Sequence, residues 1–91
     1  MAVIQSTEQI ARISASLRRI EGQCRGLQKM LDDGRECAEV LQQLSAARSA
    51  LESASFDVAA CAVEAELAGV GLSELQRHRL RDALAQLGKL R

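Results

Sequence analysis

The stretch IARISASLRRIEGQCRGLQKML, from Ile10 to Leu31, carries apolar side chains at Ile10, Ile13, Leu17, Ile20, Cys24, Leu27 and Leu31, spaced alternately three and four residues apart. That is the heptad rhythm of a helix that buries one seam against other helices. The rhythm resumes at Cys37 and continues through Val40 or Leu41, Leu44, Ala47, Leu51, Ala54, Val58, Cys61 and Ala65. At about 1.5 Å per residue, a helix over residues 35–67 is about 50 Å long. So long a helix in a chain of 91 residues cannot bury its seam on its own neighbours. The spacing therefore predicts a helical hairpin that pairs with a second copy into an antiparallel four-helix bundle, with a third helix adding contacts.

Three helix starts share one signature. Ser6-x-x-Gln9 and Ser73-x-x-Gln76 match the capping box, in which a hydroxyl caps a backbone N–H while the side chain three residues on reaches back; Asp33-x-x-Glu36 is a looser relative. Gly34 separates the first helix from the second, and Gly69 and Gly71 separate the second from the third. The expectation is a single all-α domain over residues 1–91, with helices at about 7–32, 35–67 and 73–90 and no strand-like alternation.

Composition narrows the classes further. The chain is 47% apolar and 26% charged, has no proline and only Phe56 as an aromatic, and is dominated by 15 alanines and 13 leucines. A chain of this size is expected to bury about 65% of its unfolded surface, and a core this thin needs partners. No run approaches the roughly 20 apolar residues of a membrane span. Met1 to Gln5 lack the layout of a signal peptide, so a cytoplasmic protein with Cys24, Cys37 and Cys61 as thiols is expected. Metal binding, redox chemistry and plain packing are all open to those thiols. The net charge is zero, but its distribution is uneven. Five bases face two acids over residues 1–30, two face eight over 31–70 and five face two over 71–91, giving +3, −6 and +3. Assembly would align the basic outer helices into a surface for an anionic partner.

Within the first helix, Gly22 and Gly26 lie one turn apart, and each costs about 1 kcal/mol relative to alanine. Their expected use is close approach of another backbone. Arg18, Arg19 and Arg25 lie off the seam, where they can donate to phosphates. Cys24 reads as a packed core thiol and His78 as a solvated helical residue. The chain shows no hydrolytic triad, no phosphate-cradling glycine loop and no cleft to raise a carboxylate pKa, which argues against an enzyme.

The run RRIEGQCRGLQKMLDDGRECAEVLQQLSAARSAL, from Arg18 to Leu51, resembles the CsoR/RcnR/FrmR family of small all-helical bacterial repressors. The Arg-x-x-Gly-Gln segment, the acidic turn followed by Cys37, and the Leu-Gln-Gln-Leu-Ser-Ala-Ala-Arg stretch carry the likeness, which extends over about residues 7–67. It implies a dimer of hairpins assembled into a disc-like tetramer. That tetramer would bind operator double-stranded DNA without a helix-turn-helix and release it when an inducer occupies an inter-subunit site. Cys37 matches the family's thiol at the start of the second helix; Arg18, Arg19 and Arg48 match basic positions implicated in DNA contact, whereas Ser16 stands where another family arginine falls. Metal-sensing members carry ligands 25 and 29 residues after the first cysteine, where this chain has Ala62 and Glu66. Formaldehyde-sensing relatives have a proline where this chain has Ala2.

Cys61 follows Cys37 by 24 residues, or three heptads plus three, which assigns both sulfurs to one seam. They stand about 36 Å apart along the helix, so only an antiparallel partner can bring Cys37 of one subunit to the partner's Cys61. Such a pair has two uses. A thiolate attacking a persulfide, with capture by the second thiol, gives a di- or trisulfide crosslink; alternatively, two thiolates hold Cu(I) as soft ligands. Packing is the third reading of Cys61, as a small apolar side chain. Cys37 lies in the first turn of its helix, where the dipole favours a thiolate. No resident cofactor is required. The expectation is a DNA-binding repressor whose inter-subunit cysteines Cys37 and Cys61 sense persulfide, with Cu(I) or another soft metal as the alternative inducer. Without the resemblance, a helical-bundle interaction module would lead.

Overall fold

The structure, a computed structural model, describes residues 3–88. It is all-α. Helix α1 spans Thr7–Asp32, α2 spans Cys37–Leu67, a single 3-10 turn covers Ala68–Val70, and α3 spans Glu74–Gly88. The expected end of the third helix near residue 90 lies outside the described residues.

The caps follow the sequence in part. At α3 the capping box is complete: Gln76 N donates to Ser73 Oγ at 3.1 Å, and Ser73 N donates to Gln76 Oε1 at 2.9 Å. At α1 only half of it forms. Gln9 N donates to Ser6 Oγ at 3.3 Å, but the Gln9 side chain turns away to Glu64. The Asp33 relative of the box does not form. Asp33 closes α1 as its C-cap, and α2 begins at Cys37 behind Glu36, which makes no side-chain cap bond. The reason is Gly34. With φ at +69° it takes the left-handed position of a Schellman turn, in which Arg35 N donates to Met30 O at 3.0 Å and Gly34 N to Leu31 O at 3.2 Å. Gly71, with φ at +75°, takes a left-handed backbone at the end of the 3-10 turn.

α1 and α2 form an antiparallel hairpin, and α3 folds back onto α2. The heptad seam divides in two. Ile13, Ile20 and Leu27 of α1 and Val40, Ala47, Ala54 and Cys61 of α2, each seven residues from the next, are buried between the two helices. Leu27, Val40 and Ala47 form one cluster, flanked by Met30. The alternate row stays in water: Ile10, Leu17, Cys24 and Leu31 on α1, and Cys37, Leu44, Leu51 and Val58 on α2 are exposed. Cys24 is therefore not the packed core thiol expected of it, because its row faces outward.

This division leaves the chain open. Its extents are 55 × 26 × 20 Å and its radius of gyration is 16.8 Å, where a compact chain of this length has about 12 Å. It exposes 7034 Å², against about 5,200 Å² for a compact protein of this mass. About half of the unfolded surface is buried, short of the roughly 65% expected.

Candidate functional site

The cysteines come first, because their helix positions set their chemistry. Cys37 is the first residue of α2 and is exposed. Cys61 lies far along the same helix, only 4% exposed. Its thiol is pushed up by burial first and by the Glu64 and Asp57 carboxylates next, against the opposing pull of Arg12 and Arg81. The two sulfurs are thus not on one face, as heptad counting placed them. Cys37 belongs to the outward row and Cys61 to the inward one. Within one chain they sit at opposite ends of the hairpin, and among the described residues no group of three His, Cys, Asp or Glu side chains is placed to hold a metal. Ala62 is half-buried and Glu66 exposed, one turn beyond Cys61.

Around Cys61 three helices meet. Glu64, three residues on, accepts from Arg81 of α3 (Nε to Oε1, 2.5 Å; Nη2 to Oε2, 3.2 Å) and from Gln9 Nε2 of α1 at 3.2 Å. The Arg81 hydrogen bond, more than the opposing desolvation, holds the Glu64 carboxyl below its ordinary range. The sequence reading missed this cluster. Two signals were available: Glu64 follows the seam residue Cys61 by one turn, and Gln9 stands at a position whose amide can reach beyond its own cap. A depression of about 650 Å³ opens beside the cluster, bounded by Ile4, Cys61, Leu72, Arg77 and Leu80 among others.

The four arginines singled out for DNA are all exposed. Arg18 makes no ion pair among the described residues, and Arg19 donates only to Ser16 Oγ at 3.5 Å. Arg25 is paired with Glu21 at 2.8 Å, and Arg48, its side chain 81% exposed, stands 3.6 Å from Glu52. Exposed pairs one turn apart are worth about 0.3–0.5 kcal/mol and yield to a phosphate. Gly22 and Gly26 meet no neighbouring backbone in their own chain, so the close approach expected of them is not made there. His78 is solvated, 3.9 Å from Asp82 on its own helix. No helix among the described residues is long and apolar enough to cross a membrane.

Comparison with known proteins gives one consistent result. The copper-sensing transcriptional repressor RicR of Mycobacterium tuberculosis is 40% identical over 52 residues, 57% of this chain and 54% of its own. The copper-sensing transcriptional repressor CsoR of Bacillus subtilis is 36% identical over 52 residues, 57% of this chain and 52% of its own. A homologue of the transcriptional repressor RcnR from Escherichia coli is 43% identical over 47 residues, 52% of each chain. The matched stretch spans about half the length of these curated relatives. No solved structure matches. The profile described as metal-sensitive transcriptional repressor matches residues 9–90, nearly the whole chain. Members of that group are repressors and not enzymes, and this chain belongs to the family of metal-sensitive transcriptional repressors.

Proposed function

We propose that this chain is a DNA-binding repressor that acts as an oligomer of the hairpin, one helical domain per chain, in the reducing compartment that holds the DNA. A soft metal ion such as Cu(I) releases it. Family membership supports repression and metal response. The outward row of α2 carries the rest: the exposed Cys37, Leu44, Leu51 and Val58 and the half-buried Ala65 recur every seven residues, with Leu51 at the centre. A twofold axis at Leu51 sets Leu44 against the partner's Val58 and Cys37 against the partner's Ala65, buries the unpartnered leucines and gives an antiparallel four-helix bundle. Two such dimers make the tetramer that the resemblance implies. The partner's Cys61 is one helical turn from its Ala65, and it reaches Cys37 when its side chain turns out of the core. Two thiolates suit Cu(I); the carboxylate of Glu66 is a hard donor and adds little. Ligation at Cys61 displaces a proton from a shielded thiol and disturbs the junction of the three helices. Arg18, Arg19, Arg25 and Arg48 supply the phosphate contacts, and inducer binding favours an arrangement in which they no longer match the duplex.

A second reading uses the same cysteines, because Ala62 offers no third ligand. Cys37 takes a sulfur from a persulfide donor and releases the donor thiol. The partner's Cys61 thiolate then attacks the Cys37 persulfide, forming the disulfide and expelling hydrosulfide.

The deciding experiment is a gel shift on DNA from upstream of the chain's own coding sequence, over a range of salt. Affinity should fall steeply with salt, and anaerobic Cu(I) should release the DNA. No binding at any salt below physiological overturns the repressor reading. If Cu(I) leaves the complex intact while a persulfide donor releases it and links Cys37 to Cys61 between chains, the second reading replaces the first.

A further inference from the structure

The open end of the hairpin is held by one carboxylate bonded to both other helices. Among the described residues α1 and α3 make no close backbone approach, so their connection passes through α2. Glu64 is the α2 group that binds each of them, through Gln9 and through Arg81. Its side chain is 17% exposed, whereas that of Arg81 is 56% exposed. The ion pairs Arg25–Glu21 and Arg48–Glu52 join residues four apart on one helix and Arg35–Glu39 joins the turn to the start of α2, but Arg81–Glu64 spans two helices. Cys61 lies one turn before Glu64, and a second, smaller depression of about 210 Å³ beside Cys61 is lined by Arg12 of α1 with Arg81, Asp82 and Ala85 of α3. The Gln9 amide leaves its own capping box half-made to reach this carboxylate.

We propose that Glu64 is a positioning residue that latches α3 over the Cys61 thiol, so that exposing this thiol and unseating the basic third helix are one event. The latch is a property of the chain itself. Its consequence for DNA release rests on the repressor reading above: a ligand that draws Cys61 out of the core also frees α3, with its Arg77 and Arg79, from a fixed position relative to α1. By linkage, α3 held in place makes the thiol harder to recruit.

Thiol labelling tests this directly. The full chain is treated with iodoacetamide, and alkylation of Cys37 and Cys61 is followed separately by mass spectrometry. In the unaltered protein Cys61 should react at least about tenfold more slowly than Cys37. Both Glu64→Ala and Arg81→Gln should speed Cys61 by about tenfold while leaving Cys37 unchanged. Two variants are needed because charge alone predicts opposite signs. Glu64 holds the Cys61 thiol up and Arg81 pulls it down, so without a latch the first substitution speeds the reaction and the second slows it. Opposite signs, or no change in either variant, overturn the proposal. Arg81 is exposed enough for its substitution to leave the hairpin folded, which keeps the test decisive if Glu64→Ala is destabilised. The labelling also separates the two ideas: an unaltered chain that fails to bind DNA sinks the repressor reading, while the alkylation rates still decide the latch.

Discussion

At the turn end of the hairpin, backbone hydrogen bonds around Gly34 close α1, and Leu27 and Met30 of α1 pack with Val40 and Ala47 of α2. At the open end Ile13 of α1 is buried, but the α2 positions facing it shrink to Ala54 and Cys61, and the closing contacts are the polar bonds of Glu64 to Gln9 and Arg81. The first end is held by apolar area, which is insensitive to pH and to thiol chemistry. The second is held by groups that titrate or react. The same residue type takes opposite roles at the two ends: Cys37 stands in water beside the rigid turn, and Cys61 is shielded where the structure is easiest to loosen. On the repressor reading proposed above, that division lets one end keep the fold while the other responds.

The contrast can be broken most strongly at the turn. Leu27→Ala should cost about 2–4 kcal/mol in urea unfolding, because it leaves a cavity in the larger cluster; a loss below about 1 kcal/mol would mean that this cluster does not anchor the hairpin. Gly34→Ala should cost about 1–2 kcal/mol, since the left-handed backbone at +69° disfavours a Cβ. At the other end Arg81→Gln should cost about 1.4 kcal/mol, the equivalent of the tenfold faster labelling of Cys61, while loosening α3 alone in hydrogen exchange.

The smallest and most selective effect is pH dependence. Glu64 has a lowered folded-state pKa, so its contribution is fully present above the ordinary value of 4.5 and is lost as pH falls through the lowered one. Arg81, Arg77 and Gln9 are the groups that face it and hold it there. Cys61 is raised, so its burial stabilises fully below 9.0 and less as pH climbs through its raised value. Exchange of α3 amides should therefore quicken at both extremes before that of residues 20–47. Simultaneous loosening of both ends would erase the distinction.

Much of this architecture was legible in the residues. The three helices, the Gly34 break and the Ser73 box follow from spacing and caps. The assignment of the two alternating rows did not, because a heptad marks both as apolar and only the direction of the neighbouring helix decides which turns inward. The placement of Cys61 failed for a related reason. An offset of 24 residues is three heptads plus three, so Cys61 falls in the row of Val40, Ala47 and Ala54 and not in that of Cys37. Treating the two rows as one seam hid that difference. Asp33 was misplaced because a Schellman turn used it first. The Glu64 cluster draws its members from three helices, and no local pattern brings Gln9, Glu64 and Arg81 together.

The elongated outline has a consequence for abundance. A chain that leaves about half of its unfolded surface in water has little stability of its own; in the oligomer proposed above, association and folding become one equilibrium, and the melting temperature should climb with protein concentration. In a cell, the copy number of such a protein sets how much of it is folded at all. Scarcity would then remove the chain by proteolysis, and a newly made pool would become effective only past a threshold of its own concentration.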